Sequence, residues 1–483
     1  MPTGDLFQLL NLAPDADAFA IEGAYRLLTR RFSRLPVPEA ASEVRRIQAA
    51  YDLLTNPSQR AAYHKSPPPP PPFMATLHLS RPALPFQEDP QIIYGLVEVT
   101  ATAQSAEAPA PAANLCLVID RSTSMNGARL DQAKAGVNAI LDGLRPEDTC
   151  SVIVFSDRAE AVVTAHKMTD EQRRLARSKV SLIRAGGGTE IMQGLLRGLV
   201  ELHSQVNTKS ISQLVLLTDG QTYGDETECQ LLAALARNDG ISIHALGIGD
   251  EWNDRFLDEL AAATGGAVDL ALTPEQVADF LRRRLNILAD RAAERVHLEV
   301  LPDVGVELLE AFRFTPEPSP LAFPPHALAL GQLPRSAKLC VLLKFRLQTS
   351  TEGYRPIARL SVVGDVAGPG ARRARVTLDA GATVTLRPAP GEPPAPIVAA
   401  LRRLSQIRLQ ERAFTQLQAG EVDEATRALT VLGTRLLAAG QSDLAKMAIA
   451  EARRIEQNAS LSEEARKRIK YGTRALAGLE GWP

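Results

Sequence analysis

The chain is 483 residues long, 45% hydrophobic and 23% charged, with a formal net charge of −2. These are the proportions of a soluble globular protein with room for about three domains, each with its own core. The near-neutral balance gives no electrostatic case for nucleic acid or an anionic membrane, and no apolar run approaches the roughly twenty residues needed to span a bilayer.

Residues 1–65 read as a short helical unit. Asp5 and Gln8 interrupt the first apolar residues, so a charged, apolar and cleavable leader is not expected here. Asp5-Leu6-Phe7-Gln8-Leu9-Leu10-Asn11-Leu12 precedes Ala16-Asp17-Ala18 and a helix containing Ala24-Tyr25-Arg26-Leu27-Leu28. Ile47-Gln48-Ala49-Ala50-Tyr51-Asp52-Leu53-Leu54-Thr55-Asn56-Pro57 and Arg60-Ala61-Ala62-Tyr63 come later. This run resembles a J domain along nearly its whole length. The resemblance implies His-Pro-Asp in the loop between the two long helices, the element with which J domains stimulate their ATPase chaperone partner. Ser33-Arg34-Leu35 stands there instead. The expectation is a J-like fold, with its core in Leu9, Tyr25, Leu28, Ile47, Tyr51 and Leu54, that serves as a docking module without co-chaperone activity.

Residues 66–72 hold six consecutive prolines, Pro67 to Pro72, which cannot continue a helix. They are expected to form an extended, semi-rigid spacer of roughly 3 Å per residue, with a proline-recognition ligand as the alternative. Residues 73–113 then read as β, in Thr76-Leu77-His78-Leu79 and Ile92-Ile93-Tyr94-Gly95-Leu96-Val97-Glu98-Val99.

Leu115-Cys116-Leu117-Val118-Ile119 is an unbroken apolar run, a strand buried on both faces as in a parallel sheet covered by helices. It leads into Asp120-Arg121-Ser122-Thr123-Ser124-Met125, and ligands of such sheets bind just beyond the carboxyl ends of the strands. One carboxylate and two hydroxyls, hard oxygen donors suited to a magnesium-like cation, therefore stand at the ligand-binding edge. The alternative is that Ser124 or Asn126 simply caps the following helix. Residues 130–144 show helical spacing, and Cys150-Ser151-Val152-Ile153-Val154-Phe155 and Ala161-Val162-Val163 are short strands. Helical stretches over 170–184 and 191–206 flank Gly186-Gly187-Gly188-Thr189-Glu190, which offers a hydroxyl on a loop whose backbone can approach closely. Gln213-Leu214-Val215-Leu216-Leu217-Thr218-Asp219-Gly220 is a second buried strand, ending in a carboxylate. A helix over about 228–238, the strand Ile241-Ser242-Ile243-His244-Ala245-Leu246-Gly247-Ile248-Gly249, a helix over 254–263, a strand over 267–272 and a helix over 274–288 complete the rhythm. Such alternation gives an α/β fold with a doubly wound, mostly parallel sheet.

Asp120, Ser122, Ser124, Thr189 and Asp219 together resemble the metal-ion-dependent adhesion site of von Willebrand factor type A domains, and the resemblance covers residues 114–289. Thr123 replaces the Gly most often found between the two serines, and its side chain is expected to point away from the metal. The resemblance implies Mg2+, with Mn2+ or Ca2+ as alternatives, held directly by Ser122, Ser124 and Thr189 and partly through water by Asp120 or Asp219. It further implies an open coordination position that a Glu or Asp of a partner protein completes. Asp120 and Asp219, held close, are expected to raise each other's pKa.

Strand patterns return in Val296-His297-Leu298-Glu299-Val300, Leu339-Cys340-Val341-Leu342-Leu343-Lys344-Phe345, Ile357-Ala358-Arg359-Leu360-Ser361-Val362 and Thr383-Val384-Thr385-Leu386. Neither 73–113 nor 290–388 has enough strands alone, so the two are expected to build one antiparallel β-sandwich into which residues 114–289 are inserted. Bacterial proteins of this type, and more distantly the inter-alpha-trypsin inhibitor heavy chains, are similar in pairing such domains. Past Pro388-Ala389-Pro390-Gly391, residues 392–483 form a helical region broken at Gly420 and Gly440.

No Gly-rich phosphate loop followed by Lys is present, and the seven His residues show no paired metal spacing, so an enzyme is not expected. His244, inside a buried strand, reads as a core histidine. Cys116, Cys150, Cys229 and Cys340 lack metal-ligand spacing, which leaves a cytoplasmic protein with reduced thiols as the expectation. The expected function is metal-dependent protein–protein interaction with an acidic partner, without nucleic acid or membrane. The alternative is a chaperone-associated adaptor or co-chaperone acting through the N-terminal J-like unit.

Overall fold

The computed structural model describes residues 5–66, 71–102, 112–204, 211–220, 222, 224–321, 327–349, 351–366, 373–388 and 391–478. Pro67 to Pro70 of the expected spacer, Ala389 and Pro390, and residues 205 and 206 of the expected helix lie outside the described residues. Helices α1 (Leu6–Leu9), α2 (Ala18–Phe32), α3 (Pro38–Thr55) and α4 (Pro57–Lys65) precede strands β1 (Phe73–Leu79), β2 (Ala83–Pro85) and β3 (Gln87–Ala101). An alternating segment runs β4 (Ala113–Asp120), α5 (Ala128–Gly143), β5 (Thr149–Phe155), β6 (Ala159–Lys167), α6 (Asp170–Ser181) and α7 (Ile191–Ser204). It continues with β7 (Ile211–Thr218), α8 (Glu226–Asn238), β8 (Ser242–Ile248), α9 (Asp254–Ala263), β9 (Val268–Ala271) and α10 (Pro274–Ala289). Then come β10 (Arg291–Pro302), β11 (Val306–Thr315), β12 (Ser319–Pro320), β13 (Ala327–Pro334), β14 (Leu339–Thr349), β15 (Gly353–Val366) and β16 (Arg373–Thr385). Helices α11 (Ala395–Gln418), α12 (Val422–Ala438), α13 (Ser442–Asn458) and α14 (Glu463–Gly478) close the described chain. No helix among the described residues is long and apolar enough to cross a membrane.

The chain divides into two compact units, one of residues 1–109, 291–312 and 321–397, the other of 110–290, 313–320 and 398–483. In the first, β13-β10-β15-β16-β2 form one sheet, and β1, β3, β14 and β11 are neighbours in that order in another. Phe73, Val97, Val341 and Phe345 meet Leu298, Leu328, Leu360 and Val376 in a single apolar core, so each sheet buries one face against the other. Asp17 and Asn56 cap α2 and α4 through side-chain oxygens, and Pro38 and Pro57 start α3 and α4 at positions where a missing N–H costs nothing. Leu9, Leu28, Ile47 and Leu54 fill the core of these helices, while Tyr25 and Tyr51 stack with ring centroids 4.1 Å apart. A buried ionic cluster joins the helices to the sheet. Arg31 bonds Asp303 and Asp379 at 2.6 and 2.8 Å, and Arg359 bonds Glu43 and Asp379 at 2.8 and 2.6 Å.

β2, β11, β12 and β13 carry no strand assignment in the sequence reading. Ala327-Leu328-Ala329-Leu330 consists of good helix formers, yet it alternates half-buried and buried positions along β13, so tertiary burial overrides propensity there.

The second unit holds a six-stranded sheet in the order β6-β5-β4-β7-β8-β9, parallel throughout except for β6 at one edge. All eight residues of β4 are buried, as the two-sided cover demands. Val137, Val180 and Leu281 of α5, α6 and α10 cover one face; Leu195, Ala233 and Leu257 of α7, α8 and α9 cover the other. The last four helices have a separate core around Leu429, Leu432, Ala448, Ile455 and Ile469. The aligned carboxyl ends of β4, β7 and β8 leave one edge of the sheet free for polar loops.

Candidate metal centre

Asp120 closes β4 and is fully buried. Its Oδ1 accepts the Ser122 backbone N–H at 2.8 Å and its Oδ2 accepts the Thr218 hydroxyl at 2.6 Å. Ser122 Oγ lies 3.0 Å from Ser124 Oγ, and Ser124 Oγ donates to Asp219 Oδ1 at 2.8 Å. Two loops, after β4 and after β7, are thus joined by a continuous run of hydrogen bonds from Asp120 through Ser122 and Ser124 to Asp219. The capping alternative does not describe Ser124. It sits in a single 3-10 turn, Thr123–Met125, and α5 begins after Gly127 with no side-chain cap.

The third loop arrives through backbone stitching. Gly186 N–H donates to Arg121 O at 2.7 Å, and Gly188 N–H to Asp157 Oδ1 at 2.9 Å. Thr123 points its hydroxyl away from the cluster, donating to Gly187 O at 3.0 Å and holding this loop against the first. Gly187 has φ +92, and an ideal Cβ there would meet Asp157 Oδ2 at 2.7 Å, so both conformation and space require glycine. Thr189, 6% exposed, is thereby brought to Gly220, whose ideal Cβ would stand 3.3 Å from Thr189 Oγ1 and 3.8 Å from Asp120 Oδ2. The three loops therefore carry all five expected oxygen-bearing side chains to one place.

Burial, first, pushes the Asp120 carboxyl up to about 6, while the bonds from Thr218 and Ser122 pull it down. The charge of Asp219 adds only the smallest upward push, so the expected mutual repulsion is a minor part of the shift. Asp219 has a counterion that no local motif announced: Arg129 Nη1 donates to Asp219 Oδ2 at 2.7 Å and to Glu251 Oε2 at 3.0 Å. Thr218, Asp157, Arg129 and Glu251 were all missed by sequence reading because each acts on a residue far away in the chain. His244 lies in the core, with its ring Nδ1 3.1 Å from the Ala267 nitrogen; burial first, then the Arg284 charge, hold it neutral.

Among the described residues no group of three or more His, Cys, Asp or Glu side chains could hold a metal ion. The cluster instead offers two carboxylates and three hydroxyls, hard donors that fit a magnesium-like cation better than zinc or copper. Ser124 faces solvent while Asp120, Ser122 and Asp219 lie beneath, so the donor set opens on one side.

The von Willebrand factor type A family model matches residues 114–281, and the model described as Sll0103-like, C-terminal alpha-helical domain matches residues 395–479. Uncharacterized protein sll0103 of Synechocystis sp. is 28% identical over 257 residues, covering 52% of this chain and 60% of that one. Mouse inter alpha-trypsin inhibitor, heavy chain 4 is 34% identical over 226 residues, covering 43% of this chain and 23% of that one. The chain therefore spans less than two thirds of the length of these relatives. Among solved structures, von Willebrand factor type A from Catenulispora acidiphila has a TM-score of 0.68 at 16% identity, covering 84% of this chain and 96% of that one. The ArnB paralog VWA2 from Sulfolobus acidocaldarius has a TM-score of 0.55 at 16% identity, covering 85% and 100%. Fold and sequence comparison agree: residues 114–281 are a von Willebrand factor type A domain.

Proposed function

We propose that this protein binds partner proteins through a divalent cation held by Asp120, Ser122, Ser124, Thr189 and Asp219. The observation that carries the reading is the hydrogen-bonded run Asp120–Ser122–Ser124–Asp219, which gathers hard oxygens from separate loops at the ligand-binding edge of the sheet. A bound Mg2+, or Mn2+ or Ca2+ in its place, supplies a Lewis-acidic centre with an open position for a Glu or Asp of the partner. Thr218 and the Ser122 N–H fix both oxygens of Asp120, so this carboxylate is preorganised and need not move to act as a ligand. The Ser122 and Ser124 hydroxyls, which bond each other and Asp219 here, present their lone pairs to the cation instead when it is bound.

The role is non-catalytic in this reading, and the four buried thiols, none of them in a disulfide, support a reducing, cytoplasmic setting. The N-terminal helices act as a J-like docking module that does not stimulate a chaperone ATPase. Capture of a partner by the immobilised full chain, with and without chelator, tests the proposal. Capture in magnesium that is abolished by chelator supports it, and capture indifferent to chelator contradicts it.

A further inference from the structure

Arg129 lies at the head of α5, between two carboxylates that share its Nη1, at 2.7 Å from Asp219 Oδ2 and 3.0 Å from Glu251 Oε2. The rest of its guanidinium lies along Gly249. That residue has φ +77, and an ideal Cβ there would stand 3.3 Å from Arg129 Nε and 3.3 Å from Nη2. Glu251 belongs to the loop between β8 and α9, and this loop is held from the C-terminal helical domain. Lys467 of α14 donates its ammonium to the backbone carbonyls of Asp250 and of Trp252, the latter at 2.5 Å. The two carbonyls flank Glu251. The same ammonium lies 4.6 Å from the Trp252 ring centroid, and Lys467 is 1% exposed. Arg466, Lys470 and Arg474 secure the helix alongside by pairing with Asp254 and Asp258 of α9.

We propose that Lys467 and Glu251 are positioning residues for the metal centre, through which the C-terminal helical domain sets its cation affinity. Arg129 and a bound cation compete for the Asp219 carboxylate, since both are positive and both need its oxygens. Glu251 draws part of the guanidinium's charge off Asp219, and Lys467 keeps Glu251 where it can do so. Arg129 is therefore the antagonist of the cation, while Glu251 and Lys467 relieve that antagonism. The Arg129 and Glu251 side chains are 30% and 67% exposed, so solvent screening limits each effect to a few-fold. The inference rests on the metal reading proposed above.

Calorimetric titration of the full chain with magnesium chloride separates the two. Arg129→Gln is expected to tighten magnesium binding several-fold, whereas Glu251→Gln and Lys467→Met each weaken it several-fold. Lys467→Met adds nothing in the Glu251→Gln background, because residues acting in series are non-additive. Lys467→Arg, which keeps donors for both carbonyls, restores the wild-type affinity; a purely structural role would move melting temperatures and leave these affinities alone. Wild type that binds magnesium while Lys467→Met or Glu251→Gln binds equally well overturns the inference alone, as does additivity of the pair. Wild type that shows no magnesium binding, indistinguishable from Asp120→Ala, overturns the metal reading and this inference together.

Discussion

Asp120 shows how a single buried charge costs stability so that it can serve a ligand. Its carboxyl rises from 3.8 to about 6 with burial as the leading cause, so the folded chain holds that proton more tightly than the unfolded chain does. The sign follows directly: above pH 6 the ionised group costs stability, and the cost fades as pH falls towards 4. The rise from 3.8 to about 6 corresponds to at most about 3 kcal/mol. Asp120→Asn, whose amide oxygen still accepts the Ser122 N–H and whose NH2 donates to Thr218, is expected to be more stable than wild type in chelator at pH 7.5. That gain disappears near pH 4. Chemical denaturation at both pH values checks it, and an equal gain at both would show that ionisation is not the cause. The five oxygen-bearing residues were legible because short spacings at strand ends carry them. Arg129 and Glu251 were not, because Arg129 meets Asp219 across 90 residues and Glu251 across 122, in pairings that only the fold creates.

Elements with a strong period were legible in the same way. β4 and β7 each carry a continuous apolar run and β8 is buried along its whole length, because both faces of the sheet are covered, and the helices between them show the matching 3.6-residue spacing. β13 escaped because its Ala and Leu residues suit a helix, and β12 because two residues carry no period. The docking of α14 on α9 has a pH signature of opposite sign to Asp120. Burial alone would raise Asp254 and Asp258, but Arg466 and Lys470 on the first, and Arg474 and Lys470 on the second, hold both below the usual carboxylate range. Their stabilisation is therefore complete at neutral pH and is lost as pH falls below about 4. Amide exchange in α14 should quicken below that pH. Asp254→Asn with Asp258→Asn should exchange quickly already at pH 7 and lose the acid dependence; slow exchange in this variant would locate the docking energy elsewhere. In the loop between α2 and α3, Ser33-Arg34-Leu35 stands where the J-domain resemblance implies His-Pro-Asp. The full chain is expected to leave the steady-state ATPase rate of a chaperone partner unchanged, and stimulation would restore the co-chaperone alternative.

At the scale of the whole molecule, the von Willebrand factor type A domain contributes a rigid sheet whose free edge carries the polar loops, and the apolar cores lie elsewhere. Leu115, Leu117 and Ile119 pack in the core beneath Asp120, so removing that carboxylate leaves the packing of β4 intact. A cation that binds only the folded chain stabilises it by mass action, about 2.7 kcal/mol at a hundredfold excess over Kd. The most direct measurement is therefore the melting temperature of wild type and Asp120→Ala with and without magnesium. The account predicts a rise of several degrees for wild type and none for the variant, with the variant folded in both conditions. An equal rise in both proteins, or none in either, would contradict it and leave Ser122 and Ser124 as ordinary loop residues.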